Sequence, residues 1–498
     1  MRIAMKLSVQ VTPPERAAVD VLAVFLHSDD SALRKEMKGL NAVFGSSLLS
    51  PITLGDFKGK EKESALVYSE KPGGPKRLLL IGLGEKNKAI HETFRKAAAR
   101  AAKHCHAVKA RSVGFLIPTI PRDLYGTVLA MGEGALLGLY RFDKYITKLK
   151  EDRHAVEEFS LIAEDRKSAA EAEKAFARAL IVAQSAMFAR DLANAPGNEI
   201  YPETLAKAAM ESGKRSGFKV TVMEKAEIEK LGMGGIIGVS QGSSRPPRFI
   251  VMEHNKNARK TVVLVGKGVT FDTGGISIKP SANMAEMKMD MSGAAAVIGT
   301  MDAVARLKLP VHVVGLVPAV ENMPGGNSIR PGDILRHYNG KTSEVDNTDA
   351  EGRLILADVL GYAGRYKPSA VIDLATLTGA CVVALGHHAT GMMGNDEALM
   401  GKLKTAGEAA YERVWQLPLF DEYEKQLKSD VADVKNVGGR WAGAITAGWF
   451  LKKFIGDYPW VHLDIAGTAM MEENGDYTQR GGSGVGVRLL VEFLSRWK

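Results

Sequence analysis

Cysteine is nearly absent from this chain, since Cys105 and Cys381 are the only two among 498 residues. Two cysteines so far apart favour buried thiols over a disulfide framework, which agrees with a reducing compartment. The sequence also lacks the HExxH and CxxC spacings, so it gives no support to a zinc site built from histidine or cysteine. His387 and His388 follow Gly386 in a predicted loop, and we interpret them as surface residues or neighbours of a site rather than as ligands.

Long apolar runs are missing as well. No segment reaches the roughly 18 apolar residues that a membrane span requires, and the stretch from Met1 to Ser8 lacks the apolar core and cleavage site of a signal peptide. These absences predict a cytoplasmic protein without membrane contact. The composition, 45% hydrophobic and 25% charged, is that of a globular protein, and the length of 498 residues predicts at least two domains.

Positive charge is concentrated in the N-terminal third. Residues 51–150 hold 19 Lys and Arg against 9 Asp and Glu, in a chain of net charge +9. A basic region can attract phosphate, so DNA binding by this region is one hypothesis, and a solvated surface is the simpler alternative. Gly82-Leu83-Gly84 supplies only two glycines of a dinucleotide-binding motif, and Lys86 follows where the motif needs no charge, so we predict no nucleotide site there.

Alternating strand-like and helix-like segments predict an N-terminal α/β domain over residues 1–165. Apolar runs at 19–26 and 77–84 predict buried strands, and an Ala- and Lys-rich segment at 87–107 predicts a helix. Residues 166–194 have the pattern of a long amphipathic helix, which the following Pro196-Gly197 ends. We predict that this helix connects the first domain to the second.

Residues 195–498 predict a larger, three-layer α/β/α domain. Strands are predicted at 261–266, 311–317 and 370–375, and helices at 292–307 and 352–366. Asn339-Gly340 lies at the centre of a predicted hairpin over 334–345. Folds of this kind bind ligands at the ends of their strands, so the functional residues are expected there.

Four carboxylates lie at or near the strand-to-helix junctions of this larger domain: Asp272, which we predict in a loop released by Gly274 and Gly275, Asp290, Asp349 and Glu351. Each alone has a structural explanation, as a turn residue, a helix cap or a charge at a helix N-terminus. Because such junctions converge at one edge of a parallel sheet, the four together would repel, and cations would relieve that repulsion. Four carboxylates suffice for two divalent ions roughly 3.5–4 Å apart, which predicts a metal-dependent hydrolase.

Three segments that carry these residues resemble the leucyl aminopeptidase family, which includes cytosol aminopeptidases and bacterial aminopeptidase A. They are Val-Gly-Lys-Gly-Val-Thr-Phe-Asp-Thr-Gly-Gly at 265–275, Lys-Met-Asp-Met-Ser-Gly-Ala-Ala at 288–295 and Asn-Thr-Asp-Ala-Glu-Gly-Arg-Leu at 347–354. The last is the specific signature of the family. The resemblance runs from about residue 195 to the C-terminus, whereas the N-terminal domain matches only in length and α/β style.

The resemblance implies a leucyl aminopeptidase that removes amino-terminal residues, preferably Leu and other apolar residues, by a two-metal mechanism with a hydroxide bridging the ions. The implied ligands of the Mn²⁺ or Zn²⁺ ions are Lys267, Asp272, Asp290, Asp349 and Glu351. The resemblance implies that Asp272 and Glu351 bridge the two ions. The implied catalytic residues are Lys279, for the oxyanion, and Arg353, which would hold bicarbonate as the general base. The implied substrate pocket, with residues 468–471 nearby, consists of Met287, Thr376, Leu377 and Gly379.

Two of these roles need comment on chemical grounds. Lys267 can bind a metal only as the neutral amine, which neighbouring dications favour, and the residues alone equally allow a salt bridge from Lys267 to a carboxylate. Arg353 stays protonated and is therefore no base itself. The alternatives are a dipeptidase selective for Cys-Gly and a DNA-binding regulator with accessory peptidase activity. Family members are typically hexamers, so we expect a homohexamer.

Overall fold

The computed structural model describes residues 6–28, 37, 39–118, 123–147 and 156–497. Residues 1–5, part of the stretch in which we predict no signal peptide, lie outside this range. The chain divides into two compact units, Met1–Gln184 with Asn474–Gln479, and Ser185–Glu473 with Arg480–Lys498. Among the described residues, no helix combines the length and the apolar character that crossing a membrane requires.

The first unit is built on a six-stranded sheet in the order β1-β6-β5-β2-β4-β3, parallel except for the antiparallel pair of β3 and β4. Its strands are β1 Lys6–Val11, β2 Val21–His27, β3 Ser64–Tyr68, β4 Arg77–Gly84, β5 Ser112–Leu116 and β6 Glu158–Ala163. Its helices are α1 Asn41–Phe44, α2 Ser50–Thr53, α3 His91–Ala107 and α4 Leu124–Gly138. One face of the sheet forms a core with α3 and α4, and the other face forms a second core with residues of the segment 40–57.

The predicted elements of this unit are present with small shifts. Strand β4 has the predicted bounds, and β2 begins two residues later than the predicted start at 19. The predicted helix at 87–107 divides into a 3₁₀ turn, Lys86–Lys88, and α3, because Thr93 accepts the backbone N–H of Ile90 and starts a new helix there.

Helix α5, Arg166–Asn194, has the predicted bounds. The division between the units falls inside it, between Gln184 and Ser185, so the helix contributes residues to both. The domain boundaries stated from the sequence, at 165 and 194, stay a prediction.

The larger unit contains a nine-stranded sheet in the order β16-β15-β18-β14-β9-β11-β8-β7, with β10 paired to β11. Its strands are β7 Lys219–Met223, β8 Arg248–His254, β9 Thr261–Gly266, β10 Gly268–Asp272, β11 His312–Asn322, β14 Ala370–Ala375, β15 Thr390–Gly394, β16 Val414–Gln416 and β18 Trp460–Asp464. The central strands β11, β9, β14 and β18 are parallel, and antiparallel strands flank them on both sides.

Helices cover both faces of this sheet, so the predicted three-layer α/β/α architecture is confirmed. The helices are α6 Pro202–Ser216, α7 Lys225–Lys230, α8 Gly234–Ser240, α9 Ser292–Arg306, α10 Glu351–Ala363, α11 Gly379–Leu385, α12 Glu397–Ala410, α13 Gly443–Lys452 and α14 Val487–Ser495. Helix α9 packs on β9 and β14 together with α6 and α14, and α10 packs on β9 and β11 together with α8 and α13. The central strands are buried on both faces, as their continuous apolar runs predict.

Two small sheets complete the unit. The predicted hairpin consists of β12 Ile334–Arg336 and β13 Thr342–Glu344, and a third strand, β17 Val434–Lys435, pairs in parallel with β13. Strands β19 Met470–Met471 and β20 Gly481–Gly482 pair with each other.

The sequence interpretation was wrong about one segment that matters for the site. Asp272 was expected in a loop, but it ends strand β10, and β11 extends five residues beyond its predicted end at 317. The two extensions pair with each other, Gly268 opposite Ala319 and Asp272 opposite Asn322. Because each supplies hydrogen bonds to the other, neither is visible from local sequence alone.

Candidate metal centre

The ends of several elements converge at one edge of the central sheet. Lys267 lies between β9 and β10, Asp272 ends β10, and Glu351 is the first residue of α10. Asp290 follows a 3₁₀ helix, Met284–Met289, and precedes α9. Asp272, Asp290 and Glu351 are buried, and each offers a carboxylate oxygen within 4.8 Å of those of the other two. The structure therefore brings together three of the four carboxylates that the sequence placed at such junctions.

Two glycines make this convergence sterically possible. A Cβ atom on Gly352 would lie 2.5 Å from Lys267 Cε and 2.8 Å from its Nζ, so glycine lets α10 start beside the lysine without displacing its ammonium group. Gly274 has a φ angle of +86°, and a Cβ there would lie 2.4 Å from the backbone oxygen of Ser277 and 2.9 Å from Asp349 Oδ1. The turn at Gly274 thus lets the segment after Asp272 pass close to Asp349.

Lys267 is a buried cation paired with two carboxylates. Its Nζ atom lies 2.8 Å from Asp290 Oδ2 and 2.9 Å from Glu351 Oε1, and it donates a hydrogen bond to the backbone oxygen of Thr376. Burial lowers the pKa of Lys267, but Asp290 and Glu351 outweigh burial and raise that pKa above its ordinary value. The salt bridge that the sequence allowed as an alternative is thus present. Dications bound at this position would instead disfavour the proton on Lys267, because their positive charge repels the ammonium group.

Lys279 lies on the other side of the group and is partly accessible. Its Nζ atom lies 2.9 Å from Asp272 Oδ2 and forms an ion pair with Asp349, and 22% of the side chain is exposed. Burial lowers the pKa of Lys279, whereas Asp272 and Asp349 raise it, and the net result is a pKa above the ordinary value. Lys279 therefore stays protonated at neutral pH and places its ammonium group on the solvent-accessible side of the carboxylates.

Some carboxylate oxygens of the centre accept no hydrogen bond, and such oxygens are available to a metal ion. Among the described residues, three buried oxygens have no hydrogen-bond partner: Asp290 Oδ2, Asp349 Oδ1 and Glu351 Oε1. Lys267 Nζ lies close to the first and third of these, and Lys279 Nζ forms an ion pair with the second, but none of the three oxygens accepts a hydrogen bond. Burial raises the pKa of all three carboxyl groups, which marks them as poorly compensated charges. Hard oxygen donors left open in this way fit divalent cations.

Two neighbouring side chains orient the carboxylates, and the sequence did not assign either role. Asn322 donates to Asp272 Oδ1 at 2.8 Å and to the backbone oxygen of Thr348 at 3.1 Å. Thr376, predicted only as a pocket residue, donates to Asp290 Oδ1 at 2.7 Å. Asn322 ends the part of β11 that the sequence did not predict, so no local signal indicated its role. Such partners fix the orientation of metal ligands.

Arg353 is buried and anchored on one side only. Its Nη1 atom donates to the backbone oxygen of Asn436 at 2.7 Å, whereas its Nε atom has no hydrogen-bond partner within the described part of the chain. Burial lowers the pKa of Arg353 to about 10, so it remains a cation at neutral pH. Asn436, distant in sequence from the signature, is a neighbour of Arg353 that the sequence did not indicate.

The predicted pocket residues lie around this centre to different degrees. Thr376, Leu377 and Gly379 follow β14 directly, and the Thr376–Asp290 hydrogen bond places this stretch beside the carboxylates. A Cβ atom on Gly379 would meet nothing within 4 Å, so the space in front of it is open. Met287 is half-buried within the 3₁₀ helix that precedes Asp290.

The histidines that sequence analysis set aside remain outside the carboxylate group. His387 is half-buried, and its Nδ1 atom lies 2.7 Å from the backbone oxygen of Gly467. His388 is exposed. Neither residue is part of the group formed by Asp272, Asp290 and Glu351.

Comparison with protein families gives two matches. A model of the catalytic domain of the cytosol aminopeptidase family matches residues 187–491, and a model of the N-terminal domain of the same family matches residues 21–149. The second match corrects the expectation that the N-terminal region resembles the family only in length and style.

Individual proteins give the same result over the full length. The chain is 48% identical to a probable cytosol aminopeptidase of Roseiflexus castenholzii and 45% identical to one of a Geobacter species, with 99% of this chain and at least 99% of each relative covered. Among solved structures it resembles the bottromycin maturation enzyme BotP in complex with Mn, at 34% identity and a TM-score of 0.85, over 96% of this chain and 99% of that one. It also resembles a mutant tomato leucine aminopeptidase, at 31% identity and a TM-score of 0.88, over 99% and 97% of the two chains.

Proposed function

Since the chain belongs to the cytosol aminopeptidase family, we propose that it releases amino-terminal residues from peptides by a two-metal mechanism, with a preference for leucine and other apolar residues. Membership makes it a metal-dependent aminopeptidase, and hence a hydrolase. The observation that carries the finer proposal is the buried group of Asp272, Asp290 and Glu351, whose carboxylate oxygens lie within 4.8 Å of one another. Oxygen donors this close can be shared by two neighbouring ions.

Five side chains would hold the two divalent ions, Mn²⁺ or Zn²⁺: Lys267, Asp272, Asp290, Asp349 and Glu351. When bound, the ions supply a binding site for the free substrate amine, polarisation of the scissile carbonyl and acidification of water near neutral pH. Lys267 would join the ligands only as the neutral amine, which positive charge nearby favours. Recognition of a free amine would restrict cleavage to the first residue of a peptide.

Lys279 would stabilise the negative charge that develops on the carbonyl oxygen. It is the one ammonium group of the centre with a substantially exposed side chain, 22% against 4% for Lys267. Because Asp272 and Asp349 raise the pKa of Lys279, it keeps its proton throughout the neutral range. A fixed cation at a buried oxyanion is a large contribution to catalysis.

Arg353 would hold a bicarbonate ion, which supplies the proton acceptor that no protein side chain of the centre offers. The support is geometric. The Nη1 atom of Arg353 is occupied by the backbone oxygen of Asn436, whereas Nε is buried without a partner among the described residues. A guanidinium group with one anchored and one open side suits a planar oxyanion.

The pocket for the first substrate side chain would be formed by Met287, Thr376, Leu377 and Gly379. The open space in front of Gly379 gives room for that side chain. A methionine wall adapts to several apolar shapes, which supports a broad preference with leucine favoured.

The decisive experiment strips the protein with a chelator and measures release of the chromophore from a leucyl anilide before and after addition of Mn²⁺ or Zn²⁺. We expect activity only with metal. Asp349→Asn should abolish it, whereas Asp346→Asn, one residue before the signature and with an exposed side chain, should retain it. Full metal-dependent activity of Asp349→Asn would contradict the assignment of the site.

A panel of substrates tests the specificity. Leucyl, methionyl and alanyl amides should be cleaved in decreasing order, and dipeptides that begin with other residues more slowly. Preferential cleavage of Cys-Gly would instead support the dipeptidase alternative.

The remaining expectations concern assembly and partners. We propose a homohexamer in the cytoplasm, in line with the free, buried state of both cysteines and with the relatives named cytosol aminopeptidases. Native mass spectrometry with metal counting tests the assembly. DNA binding through the basic N-terminal region stays a prediction, and retention of DNA on filters at low salt that weakens steeply with added salt would support it.

A further inference from the structure

We propose that Asn436 is a positioning residue of the metal centre, one that holds the backbone segment 346–350 and the guanidinium group of Arg353 in place. The inference rests on the proposed function, because the proposed function makes Asp349 and Glu351 metal ligands and thereby gives this segment its importance. Asn436 itself touches none of the proposed ligand atoms and acts through the backbone that carries them.

The carboxamide group of Asn436 forms hydrogen bonds with segment 346–350 on both sides of Asp349. It is fully buried. Its Oδ1 atom accepts the backbone N–H groups of Asp346 at 2.8 Å and of Asn347 at 3.2 Å. Its Nδ2 atom donates to the backbone oxygens of Asn347 at 2.7 Å and of Ala350 at 3.4 Å. One side chain therefore makes four hydrogen bonds to the five residues that lead into α10.

The backbone of Asn436 adds two further contacts. Its N–H donates to the backbone oxygen of Glu344 at 2.9 Å, which continues the parallel pairing of β17 with β13. Its carbonyl oxygen accepts from Arg353 Nη1 at 2.7 Å. The strand pairing thus fixes Asn436, and Asn436 in turn fixes both the segment before α10 and a side chain on its first turn.

Only a carboxamide fits this position. Segment 346–350 is irregular, so its backbone groups have no helix or sheet partners of their own, and buried groups of this kind need side-chain partners. The partner here must accept two N–H groups and donate to two carbonyl oxygens, which asparagine and glutamine alone can do. Glutamine is longer by one methylene, for which a fully buried position leaves no room.

The test compares Asn436→Ala with a matched asparagine elsewhere in the unit. Asn395 also bridges backbone groups, accepting from Trp460 N at 2.7 Å and donating to Tyr458 O at 3.1 Å, but it makes no contact with the metal centre. Chelator-stripped protein is titrated with Mn²⁺ alone, and kcat and KM are measured separately on the metal-loaded enzyme. Thermal melting reports the loss of stability in both variants.

We expect Asn436→Ala to bind Mn²⁺ about 10- to 100-fold more weakly and to lose kcat by a similar factor, with KM changed by less than about threefold. Asn395→Ala should melt earlier but keep its Mn²⁺ affinity and kcat within about twofold of the wild type, because its contacts are independent of the centre. Unchanged Mn²⁺ affinity in Asn436→Ala, or equal losses in the two variants, would overturn the inference.

A second variant keeps the test decisive if Asn436→Ala does not fold. Asn436→Asp retains the acceptor for Asp346 and Asn347 but sets an oxygen against the carbonyls of Asn347 and Ala350. The added negative charge alone would tighten Mn²⁺ binding, whereas a displaced segment weakens it, so the direction of the change decides. A wild-type enzyme without Mn²⁺-dependent activity contradicts the proposed function, whereas an active wild type beside an unimpaired Asn436 variant contradicts only this inference.

Discussion

Each unit of the molecule buries a group of charged side chains, and the two groups are built differently. In the first unit Arg95 lies between two glutamates, with Nη1 2.5 Å from Glu92 Oε2 and Nε 3.0 Å from Glu133 Oε2. The hydroxyl of Tyr477 donates to the other oxygen of Glu92 at 3.0 Å. No buried polar atom of Glu92, Arg95 or Glu133 lacks a hydrogen bond in the described part of the chain. This group is complete without any ligand.

The group in the larger unit is incomplete by the same criterion. It contains four carboxylates and two lysines, and three buried carboxylate oxygens have no hydrogen bond among the described residues. Burial of charge is common to both groups, so burial alone does not identify a functional site. The difference lies in the acceptors that remain open: each of the three oxygens has a lysine ammonium group nearby but accepts no hydrogen bond from it, so it stays available to a bound cation.

The largest expected effect comes from Glu351→Gln, which removes one charge of the incomplete group without changing its shape. We expect kcat/KM to fall about 10⁴-fold, or about 5 kcal/mol in transition-state stabilisation, since Glu351 is one of the proposed metal ligands. The chelator-stripped variant should melt no earlier than the stripped wild type, because Asp290 still pairs with Lys267 and its repulsion with Glu351 is gone. Steady-state kinetics and calorimetry measure both quantities. Strong destabilisation of the stripped variant would mean that the group is structural after all.

Arg95→Met tests the complete group and should give the converse result. Two carboxylates would remain buried without their cation, which costs about 3 kcal/mol or more of unfolding free energy. The kcat of the folded fraction should stay within about twofold of the wild type, since all contacts of Arg95 given above lie within the first unit. Urea unfolding and active-site titration separate the two.

A triple replacement controls for the loss of volume at this position. Glu92→Met, Arg95→Met and Glu133→Leu together should recover most of the lost stability, because no charge is then left unpaired. Failure to recover would show that packing rather than charge pairing stabilises the group.

Arg353→Lys is expected to have a smaller effect than Glu351→Gln. The ammonium group keeps the charge but cannot both reach the backbone oxygen of Asn436 and present a second donor edge. We expect kcat to fall about 10²-fold, as for the loss of one preorganised donor to an oxyanion. The dependence of the rate on added bicarbonate should disappear in the variant. A variant that responds to bicarbonate as the wild type does would separate Arg353 from the anion.

The smallest effect concerns Asp20 of the first unit, whose carboxylate accepts several hydrogen bonds. Burial alone would raise the pKa of Asp20, but the hydrogen bonds from Lys76 and from the N–H groups of Arg111 and Ser112 lower it from 3.8 to about 2. Because the folded pKa is depressed, the stabilisation is present above about pH 4 and is lost as the pH falls toward 2. Asp20→Asn should therefore lose about 1–2 kcal/mol at pH 7 and progressively less at lower pH.

Urea unfolding between pH 7 and pH 3 measures this difference, with Asp56→Asn, at an exposed carboxylate, as the matched control variant. The carboxylates of the incomplete group have raised pKa values, so the sign of their shift is opposite. A pH-independent difference for Asp20→Asn would show that the carboxylate acts by shape rather than by charge.

Much of the fold was accessible from the sequence. Four predicted elements have the predicted bounds, because apolar runs or helical patterns end there at glycine, proline or a polar turn: β4, α5, β9 and β14. The failures have a common cause. Strand β10 and the last residues of β11 exist because they pair with each other, and β17 exists because it pairs with β13. Short segments of this kind take their structure from a partner rather than from their own pattern.

The sequence by itself determined which chemical groups the protein has for a site: oxygen donors and lysines at the ends of strands, and an arginine on the first turn of a helix. Only the tertiary structure decided which of those groups are already satisfied. Asn322, Thr376 and Asn436 reach the centre from three separate strand ends, and they consume some acceptors and leave others open. A hydrogen bond forms only between two residues that the fold brings together. The local sequence around either residue alone therefore does not predict it.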